Sequence, residues 1–197
     1  MAYHVYTTEG WILRGTPIGE ADKYFHILTR DLGVVTARAR SVRLGGSKLS
    51  PALVDFSFSI LSFVKGKYSW RLVGAKSADN TYKGLESKPE KRVLWVRFLD
   101  VLRQLIHEEE KDKVPYEITK DFYDALVKRD YSSEELKSLE CLAMFYLLKT
   151  LGYIEEKISY KEILSVPFFD ENSIIRARVI RKELIDELNR ALSASRS

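Results

Sequence analysis

The spacing of apolar residues changes near residue 80, and this change limits the folds that are available to the chain. Up to about Asn80, apolar and polar residues alternate, as they do in strands with one buried face. From Lys88 onward, apolar residues recur at intervals of three and four, as on one face of a helix. We therefore predict a two-domain α+β protein, with a β-domain over residues 1–80 and an all-α helical domain over residues 81–197.

The β-domain contains five segments with the composition and alternation of strands. They are Gly10–Leu13, Lys23–Thr29, Gly33–Val42, Val54–Val64 and Tyr68–Ala75. The last two are joined by Lys65-Gly66-Lys67, which has the length of a hairpin turn. Five strands in about 80 residues favour a small barrel, and the OB-fold is a common nucleic-acid-binding barrel of this size. We therefore expect an OB-fold-like five-stranded β-barrel.

The remaining residues contain four segments with helical periodicity. They are Lys88–Glu110, Tyr116–Lys128, a segment from Ser132 or Ser133 to Leu151, and Glu171–Leu192. Pro115 separates the first two. Ser132 precedes Glu135 by three residues, as in a capping box, and Gly152 is a typical residue at a helix end. The apolar centre of the third segment places it in the middle of the helical domain.

The cysteine content excludes several kinds of site. Cys141 is the only cysteine, so an intramolecular disulfide, a CxxC motif and a cysteine-based zinc site are all impossible. We expect no metal and no cofactor.

The first ten residues lack the regions of a signal peptide, and the longest apolar run is far shorter than the roughly 18 residues of a membrane helix. We therefore expect a cytoplasmic protein.

The positive charge of the chain belongs to its N-terminal part. Residues 1–80 contain 11 Lys and Arg against 6 Asp and Glu, whereas the whole chain has a net charge of only +4. The richest stretch is Thr36–Lys48, "TARARSVRLGGSK". Between Asp31 and Asp55 it supplies four cations and no acid. A basic asymmetry of this kind points to a polyanionic partner.

Strand alternation predicts how these cations are arranged. Arg38 and Arg40 project to one side, about 7 Å apart, and the small residues Ala37 and Ala39 project to the other, which we expect to be the barrel interior. Because guanidinium groups match phosphate geometry, we predict that four residues form the centre of a nucleic-acid-binding site. These are Arg38, Arg40, Arg43 and Lys48. The alternative is a solvated strand face whose cations serve solubility.

Other residues extend this candidate site. Further phosphate contacts are predicted for Arg14, Lys65, Lys67 and Arg71. Trp11, Tyr68 and Trp70 could provide stacking faces for bases, although burial is the more frequent state of the two tryptophans.

A second basic patch is predicted in the last helix, where Arg178 groups with Arg181 and Lys182. The alternative there is a charged outer face opposite Ile175, Val179 and Leu188.

The segment Gly19-Glu20-Ala21-Asp22 contains two carboxylates that could suggest catalysis. The segment itself contains neither a histidine nor a third acid, as a catalytic site would require. A turn held by bonds from a carboxylate to the backbone or to an arginine is the favoured interpretation. We therefore predict no catalytic residues and expect the protein not to be an enzyme.

Residues 7–72 resemble the N-terminal domain of the RecO family, the recombination mediators of bacterial DNA repair. The family pattern of a glycine, then G-E-x-D, then a glycine followed by A-x-A-R-G-x-R appears here as Gly10, Gly19–Asp22, Gly33 and Ala37–Arg43. Ser41 stands where the family usually has glycine. Many members carry a four-cysteine zinc module after a helix that ends near L-G-Y. This chain has Leu151-Gly152-Tyr153 followed by no cysteine.

The resemblance implies an OB-fold that binds single-stranded and double-stranded DNA, followed by a helical domain. Such proteins anneal complementary strands, engage RecR, and recognise the acidic tail of single-stranded DNA-binding protein so that RecA can load. The expected mechanism is binding without catalysis, because cations offset the repulsion between phosphates. The alternative that the residues leave open is a protein-interaction adaptor, whose basic barrel binds an acidic partner and never touches DNA.

Overall fold

The structure is a computed structural model that describes residues 4–79, 84–85, 88–106, 112–155, 157, 160 and 168–194. The chain divides into two compact units. The first comprises Met1–Ser87 with Ile106–Tyr116, and the second comprises Lys88–Leu105 with Glu117–Ser197. The predicted boundary between residues 80 and 81 lies outside the described residues, so the domain limits stay a prediction.

The N-terminal unit is built around a closed five-stranded barrel, which confirms the predicted β-domain. Its strands are β1 (Val5–Ile18), β2 (Asp22–Thr29), β3 (Gly33–Ala39), β4 (Phe58–Lys65) and β5 (Trp70–Asp79). They are arranged in the order β1-β2-β3-β5-β4, and β4 pairs again with β1. All neighbours are antiparallel except β3 and β5, which run parallel. Closure leaves the sheet without an open edge strand.

Alternation along the strands creates the barrel interior. Large side chains such as Phe25, Ile27 and Phe63 are at most 1% exposed, and Ala37 and Ala39 are fully buried beside them. The prediction that the alanines of the basic stretch face the interior is therefore confirmed. Their small size suits a narrow barrel, where successive interior positions must alternate between large and small side chains.

Several strand ends differ from the predictions: β1 runs over Val5–Ile18 and not Gly10–Leu13, and β5 over Trp70–Asp79 and not Tyr68–Ala75. Two other differing ends each lie two residues from a residue with positive φ. The third strand ends at Ala39 and not at Val42, because Ser41 adopts a φ of +53°. Similarly, β4 begins at Phe58 and not at Val54, after Phe56 with a φ of +66°. Left-handed backbone cannot continue an extended strand. Arg40 is consequently part of a turn and not of the strand.

The helical unit agrees with the predicted all-α domain. Within the described residues its helices are α1 (Pro89–Leu105), α2 (Val114–Lys128), α3 (Ser133–Thr150), α4 (Glu171–Val179) and α5 (Arg181–Ala194). Pro115 lies in the first turn of α2, where a missing N–H removes no intrahelical bond. The predicted single helix over 171–192 is wrong, since the chain is broken at Ile180. The predicted end of the first helix at Glu110 lies outside the described residues.

Helix α3 begins and ends as its sequence predicts. The Ser132 hydroxyl accepts a hydrogen bond from the Glu135 N–H, and the Glu135 carboxylate accepts one from the Ser132 N–H. At the other end Gly152 has a φ of +80°, and the Tyr153 N–H donates to the Leu148 carbonyl oxygen. This pattern is a Schellman motif. Residues on all sides of α3 are buried, which confirms its position in the middle of the helical unit.

A buried lysine holds the C-terminal end of α2. The Lys91 side chain is only 5% exposed, and its ammonium group donates to the carbonyl oxygens of Leu126 (2.8 Å) and Arg129. Its burial lowers the pKa of Lys91, and the nearby Asp130 carboxylate partly opposes that effect. The carbonyl groups at a helix end have no partners within the helix. Lys91 therefore satisfies acceptors that would otherwise be buried without a donor.

We expect Lys91→Met to lower the free energy of unfolding by about 1–3 kcal/mol, because it leaves the α2 carbonyl oxygens without this donor. Urea denaturation followed by circular dichroism measures the change. Lys88→Met is the matched control, since Lys88 also pairs with Asp130 but is 34% exposed. An equal loss in the two variants would contradict the structural role of Lys91.

Candidate nucleic-acid interface

The outer surface of β2, β3 and β5 forms the centre of the candidate interface. The strand register places Tyr24 opposite Arg38 and Arg38 opposite Arg71. Residues that pair across neighbouring strands project from the same face, so these three side chains form a row outside the barrel. Arg38 and Arg71 are both half-buried. The row brings together two cations that are 33 residues apart in the chain.

Arg38 is held by Asp22, the last residue of the Gly19–Asp22 segment. The Asp22 carboxylate accepts a hydrogen bond from Arg38 Nε at 2.8 Å and lies 2.6 Å from Arg38 Nη2. Its other oxygen accepts from the Ser41 N–H at 2.8 Å. The hydrogen bond from Ser41, followed by that from Arg38, lowers the pKa of Asp22. The favoured interpretation of this segment as a turn with a structural carboxylate is therefore confirmed for Asp22.

The turn after β3 is anchored to the connection between β1 and β2. Arg43 donates from its backbone N–H to the Ala21 carbonyl oxygen at 2.9 Å and from its guanidinium to the Gly19 carbonyl oxygen at 2.6 Å. Together with the Ser41–Asp22 bond, these contacts fix the chain from Ser41 to Arg43. Ser41, which stands where the resembled family has glycine, has positive φ, the conformation that glycine adopts most easily.

The structure separates the predicted central cations into two groups. Arg38 is half-buried and paired with an acid, whereas Arg40, Arg43 and Lys48 are exposed. Counting acids between Asp31 and Asp55 missed this pair, because Asp22 reaches Arg38 across the β2–β3 ladder. The exposed cations continue from the end of β3 into the following loop. That stretch offers positive charge to solvent beside the row on the barrel.

A groove lies between the first half of β3 and the β4–β5 hairpin. Its volume is about 350 Å³, and its walls include Tyr24 and Thr36 on one side and the hairpin residues 65–70 on the other. The ammonium group of Lys65 lies 5.3 Å from the Trp70 ring, and that of Lys67 lies 4.9 Å from the Tyr68 ring. Both lysines are exposed. The hairpin thus combines aromatic rings with cations, and Tyr24 is a site residue that sequence reasoning missed.

The three candidate stacking residues differ sharply in exposure. Trp11 is 2% exposed and belongs to the core. Trp70 is half-buried, and its ring packs edge-on against Tyr6 at 5.3 Å. Tyr68, by contrast, is 86% exposed. Of the three side chains, Tyr68 alone is mostly exposed to solvent. The expected burial is complete for Trp11 and partial for Trp70.

Arg14 and Arg71 occupy different positions on the barrel. Arg14 is an exposed residue of β1, next to a register shift between Ile12 and Arg14. It pairs with His26 of β2. Arg71 is a half-buried residue of β5 beside Arg38. Arg14 therefore adds one exposed cation on β1 to the row, the exposed loop cations and the groove.

The second predicted patch is divided by the break at Ile180. Arg178 belongs to α4, and Arg181 and Lys182 begin α5, so their grouping on a single continuous helix is wrong. Arg178 and Lys182 are exposed. Arg181 lies 2.8 Å from a Glu134 carboxylate oxygen. Hydrogen bonds from Lys137 and Arg181 lower the pKa of Glu134 to about 2.

The apolar residues near this patch also differ from the sequence expectation. Ile175 is 56% exposed and Val179 is 81% exposed, so neither packs in the core opposite the charges. Ile174 and Ala177 are buried instead, together with Leu188 of α5. The result is a helix that shows apolar and cationic side chains to solvent together.

Within the part of the chain that the structure describes, no cluster of three or more His, Cys, Asp or Glu side chains could hold a metal ion.

None of the helices among the described residues has the length and apolarity needed to cross a membrane.

A closed five-stranded barrel of this strand order has the OB-fold-like architecture that the sequence predicts. Residues 1–79 match the family described as recombination protein O, N-terminal. This match confirms the resemblance of residues 7–72 to the N-terminal domain of the RecO family. That family acts in DNA repair and recombination.

Individual relatives agree with this match. The DNA repair protein RecO of Dehalococcoides mccartyi strain 195 is 39% identical over 74 residues, which are 38% of this chain and 29% of the relative. The RecO of a Synechococcus species is 38% identical over 69 residues, covering 35% of this chain and 24% of the relative. The RecO of Thermodesulfovibrio yellowstonii is 26% identical over 154 residues, covering 78% of this chain and 50% of the relative. The matched part thus spans at most half of these relatives.

The Asp22 contacts predict a pH dependence of stability. Because the folded protein lowers the pKa of Asp22 below its usual 3.8, the ionised carboxylate stabilises the fold above that value. This stabilisation is lost as the pH falls from about 4 through the lowered pKa. We expect Asp22→Asn to be less stable than the parent at pH 7, with a difference that shrinks towards pH 2. Urea denaturation at pH 7, 4, 3 and 2 measures it, and a constant difference would contradict the role of the carboxylate.

Proposed function

We propose that this protein acts in DNA repair by binding DNA through the barrel and annealing complementary single strands, and that it thereby helps RecA to load. The observation that carries the proposal is the concentration of cations on one side of a RecO-type barrel. Arg38 and Arg71 lie side by side on its surface, and Arg40, Arg43 and Lys48 continue from the end of β3. The hairpin lysines Lys65 and Lys67 and the β1 residue Arg14 add exposed charge.

The positions of these cations suit a strand that runs along β3. The groove lies beside the first half of β3, and the exposed cations begin at Arg40, just after its end. From Val34 to Ala39 the chain advances about 17 Å at roughly 3.3 Å per residue, enough for about three extended nucleotides. OB-folds bind oligonucleotides on this side of the barrel, between the β1–β2 and β4–β5 connections.

The proposed mechanism requires binding and no chemical step. Two complementary strands repel each other through their phosphates, and a basic surface that holds one strand lowers the repulsion felt by the other. Release of condensed counterions supplies much of the affinity. Arg38 and Arg43 are held by Asp22 and by the Gly19 carbonyl oxygen, so their positions are set before DNA arrives. Such preorganisation reduces the entropy lost on binding.

Two protein partners belong to this proposal. RecR is one, and the acidic tail of single-stranded DNA-binding protein is the other. An acidic peptide with an apolar end requires an apolar surface bordered by cations. Ile175 and Val179 are exposed on α4, with Arg178 and Lys182 exposed nearby in sequence. We therefore propose the Arg178, Arg181 and Lys182 patch as the tail contact, with Arg181 already paired to Glu134.

We expect Arg40→Ala to weaken binding to single strands of any sequence and to flatten its salt dependence. If about six phosphates are neutralised, log affinity falls with log salt at a slope of roughly −4, and loss of one contact reduces the slope by about 0.7. Fluorescence anisotropy with a random 30-mer between 50 and 200 mM salt measures both effects. Arg40 is preferred over Arg38, whose removal would also leave Asp22 without its ion-pair partner.

The matched control is Lys120→Ala, which removes one exposed cation from the helical unit. Lys120 lies close to Asp121, whose pKa is raised by burial and by the neighbouring carboxylates of Glu117 and Asp124. DNA should avoid this acidic face, so the slope should stay at the parent value. A slope that Arg40→Ala leaves unchanged would remove Arg40 from the interface.

We further expect the protein to accelerate annealing of complementary strands that are precoated with the cognate single-stranded DNA-binding protein. A fluorescence-quenching assay with labelled complementary oligonucleotides measures the rate. Arg40→Ala should slow it, and Lys120→Ala should not. If the protein binds no DNA at micromolar concentration but binds an acidic peptide, the adaptor function is correct and the DNA proposal is wrong.

A further inference from the structure

We infer that the groove beside the β4–β5 hairpin binds one unpaired base of a single DNA strand, which stacks on Tyr68. This inference rests on the proposed DNA-binding function and assigns a specificity to its site. Base stacking selects single strands over duplexes, whereas phosphate contacts alone attract both. The occupant is therefore an unpaired nucleobase attached to a backbone that the neighbouring lysines hold.

The groove exists because β3 and β5 pair over a short distance. Their register covers only Ala37–Ala39 on β3 and Trp70–Leu72 on β5. Before this pairing, residues 34–36 of β3 face the hairpin residues 65–69 across an open space. The volume of about 350 Å³ falls within the roughly 300–1,000 Å³ of pockets that hold small ligands.

The walls of the groove have the chemistry that a base and its phosphates require. Tyr68 is 86% exposed, which is a large aromatic surface to leave in water. The Lys67 ammonium lies 4.9 Å from the ring centroid, and a cation on one face of a ring leaves the other face for stacking. Across the groove, the hydroxyl groups of Tyr24 and Thr36 can bond to the edge of a base.

Trp70 supports the base indirectly. Its ring packs edge-on against Tyr6 at 5.3 Å and near Phe63 at 6.2 Å, and Lys65 lies 5.3 Å from its centroid. These contacts hold Trp70 and the root of the hairpin in place. Tyr68 at the tip is the ring that remains accessible. Single-strand binders commonly combine aromatic platforms of this kind with a basic groove.

A duplex does not fit this mode of binding, because its bases are already paired and stacked. Removing one from the stack costs free energy, and an unpaired strand avoids that cost. The phosphate contacts at Arg40, Arg43 and Lys48 remain available to both forms of DNA. The structure thus assigns general affinity to the cations and single-strand preference to the groove.

The test compares two oligonucleotides that share a backbone but differ in bases. One is a ten-residue oligothymidine, and the other is a ten-residue abasic strand of equal charge. Anisotropy titrations at constant salt give both affinities for the parent, Tyr68→Ala, Tyr68→Phe and Val73→Ala. Val73 is the matched control, since it is 51% exposed on β5 and does not line the groove.

We expect the parent protein to bind oligothymidine at least about 5-fold more tightly than the abasic strand, the lower limit for one stacked base. Tyr68→Ala should abolish this difference without changing the salt slope, whereas Tyr68→Phe and Val73→Ala should keep it. Lys67→Ala should weaken binding to both strands and flatten the slope. A ten-base-pair duplex should bind Tyr68→Ala and the parent equally well.

The outcomes separate this inference from the proposed function. If the parent binds both strands equally and Tyr68→Ala changes nothing, the base-stacking inference is overturned and DNA binding stands. If the parent binds neither strand nor the duplex, the proposed function itself is wrong and the inference falls with it. If an acidic peptide fills the groove and DNA does not compete, the occupant is a protein and the inference is also overturned.

Discussion

The barrel is closed by a parallel pairing between β3 and β5 that involves three residues from each strand. Fully buried Ala37 and Ala39 allow this close approach, because larger side chains at these positions would compete with Phe25, Ile27 and Phe63 for the interior. The same pairing places Arg38 beside Arg71 on the outside. Where it stops, the hairpin diverges from β3 and the groove opens. The closure of the barrel, the placement of Arg38 beside Arg71 and the groove therefore all depend on this short pairing.

The cations of the interface are of two kinds. Arg38 and Arg43 are fixed by hydrogen bonds to the segment Gly19–Asp22, so their geometry is set by the fold even though Arg43 is exposed. Arg40, Lys48 and the hairpin lysines are exposed and can adapt to a backbone. Fixed charges give register and orientation, and exposed ones give affinity that depends on salt. Both kinds suit the proposed annealing, in which the barrel would hold one strand and admit another.

Many elements could be predicted from the sequence because their signals are local. Alternation identified the strands and the inward face of Ala37 and Ala39, since the two-residue period requires no knowledge of tertiary contacts. The capping box at Ser132 and Glu135 and the glycine end at Gly152 were likewise readable, because each depends on residues within one helical turn. The basic stretch was recognised by its composition.

The sequence by itself determined the two kinds of domain, the resemblance of the barrel to the RecO family, and the concentration of cations near Thr36–Lys48. Only the tertiary structure decided that Asp22 neutralises Arg38, that Arg40 lies in a turn, and that the last helix breaks at Ile180. It also decided which aromatic ring is accessible: Tyr68 is exposed and Trp11 is in the core. The physical reason is the separation in sequence of the residues that interact. Periodicity and capping depend on near neighbours along the chain. Ion pairing and burial depend on strands that meet only after the barrel closes.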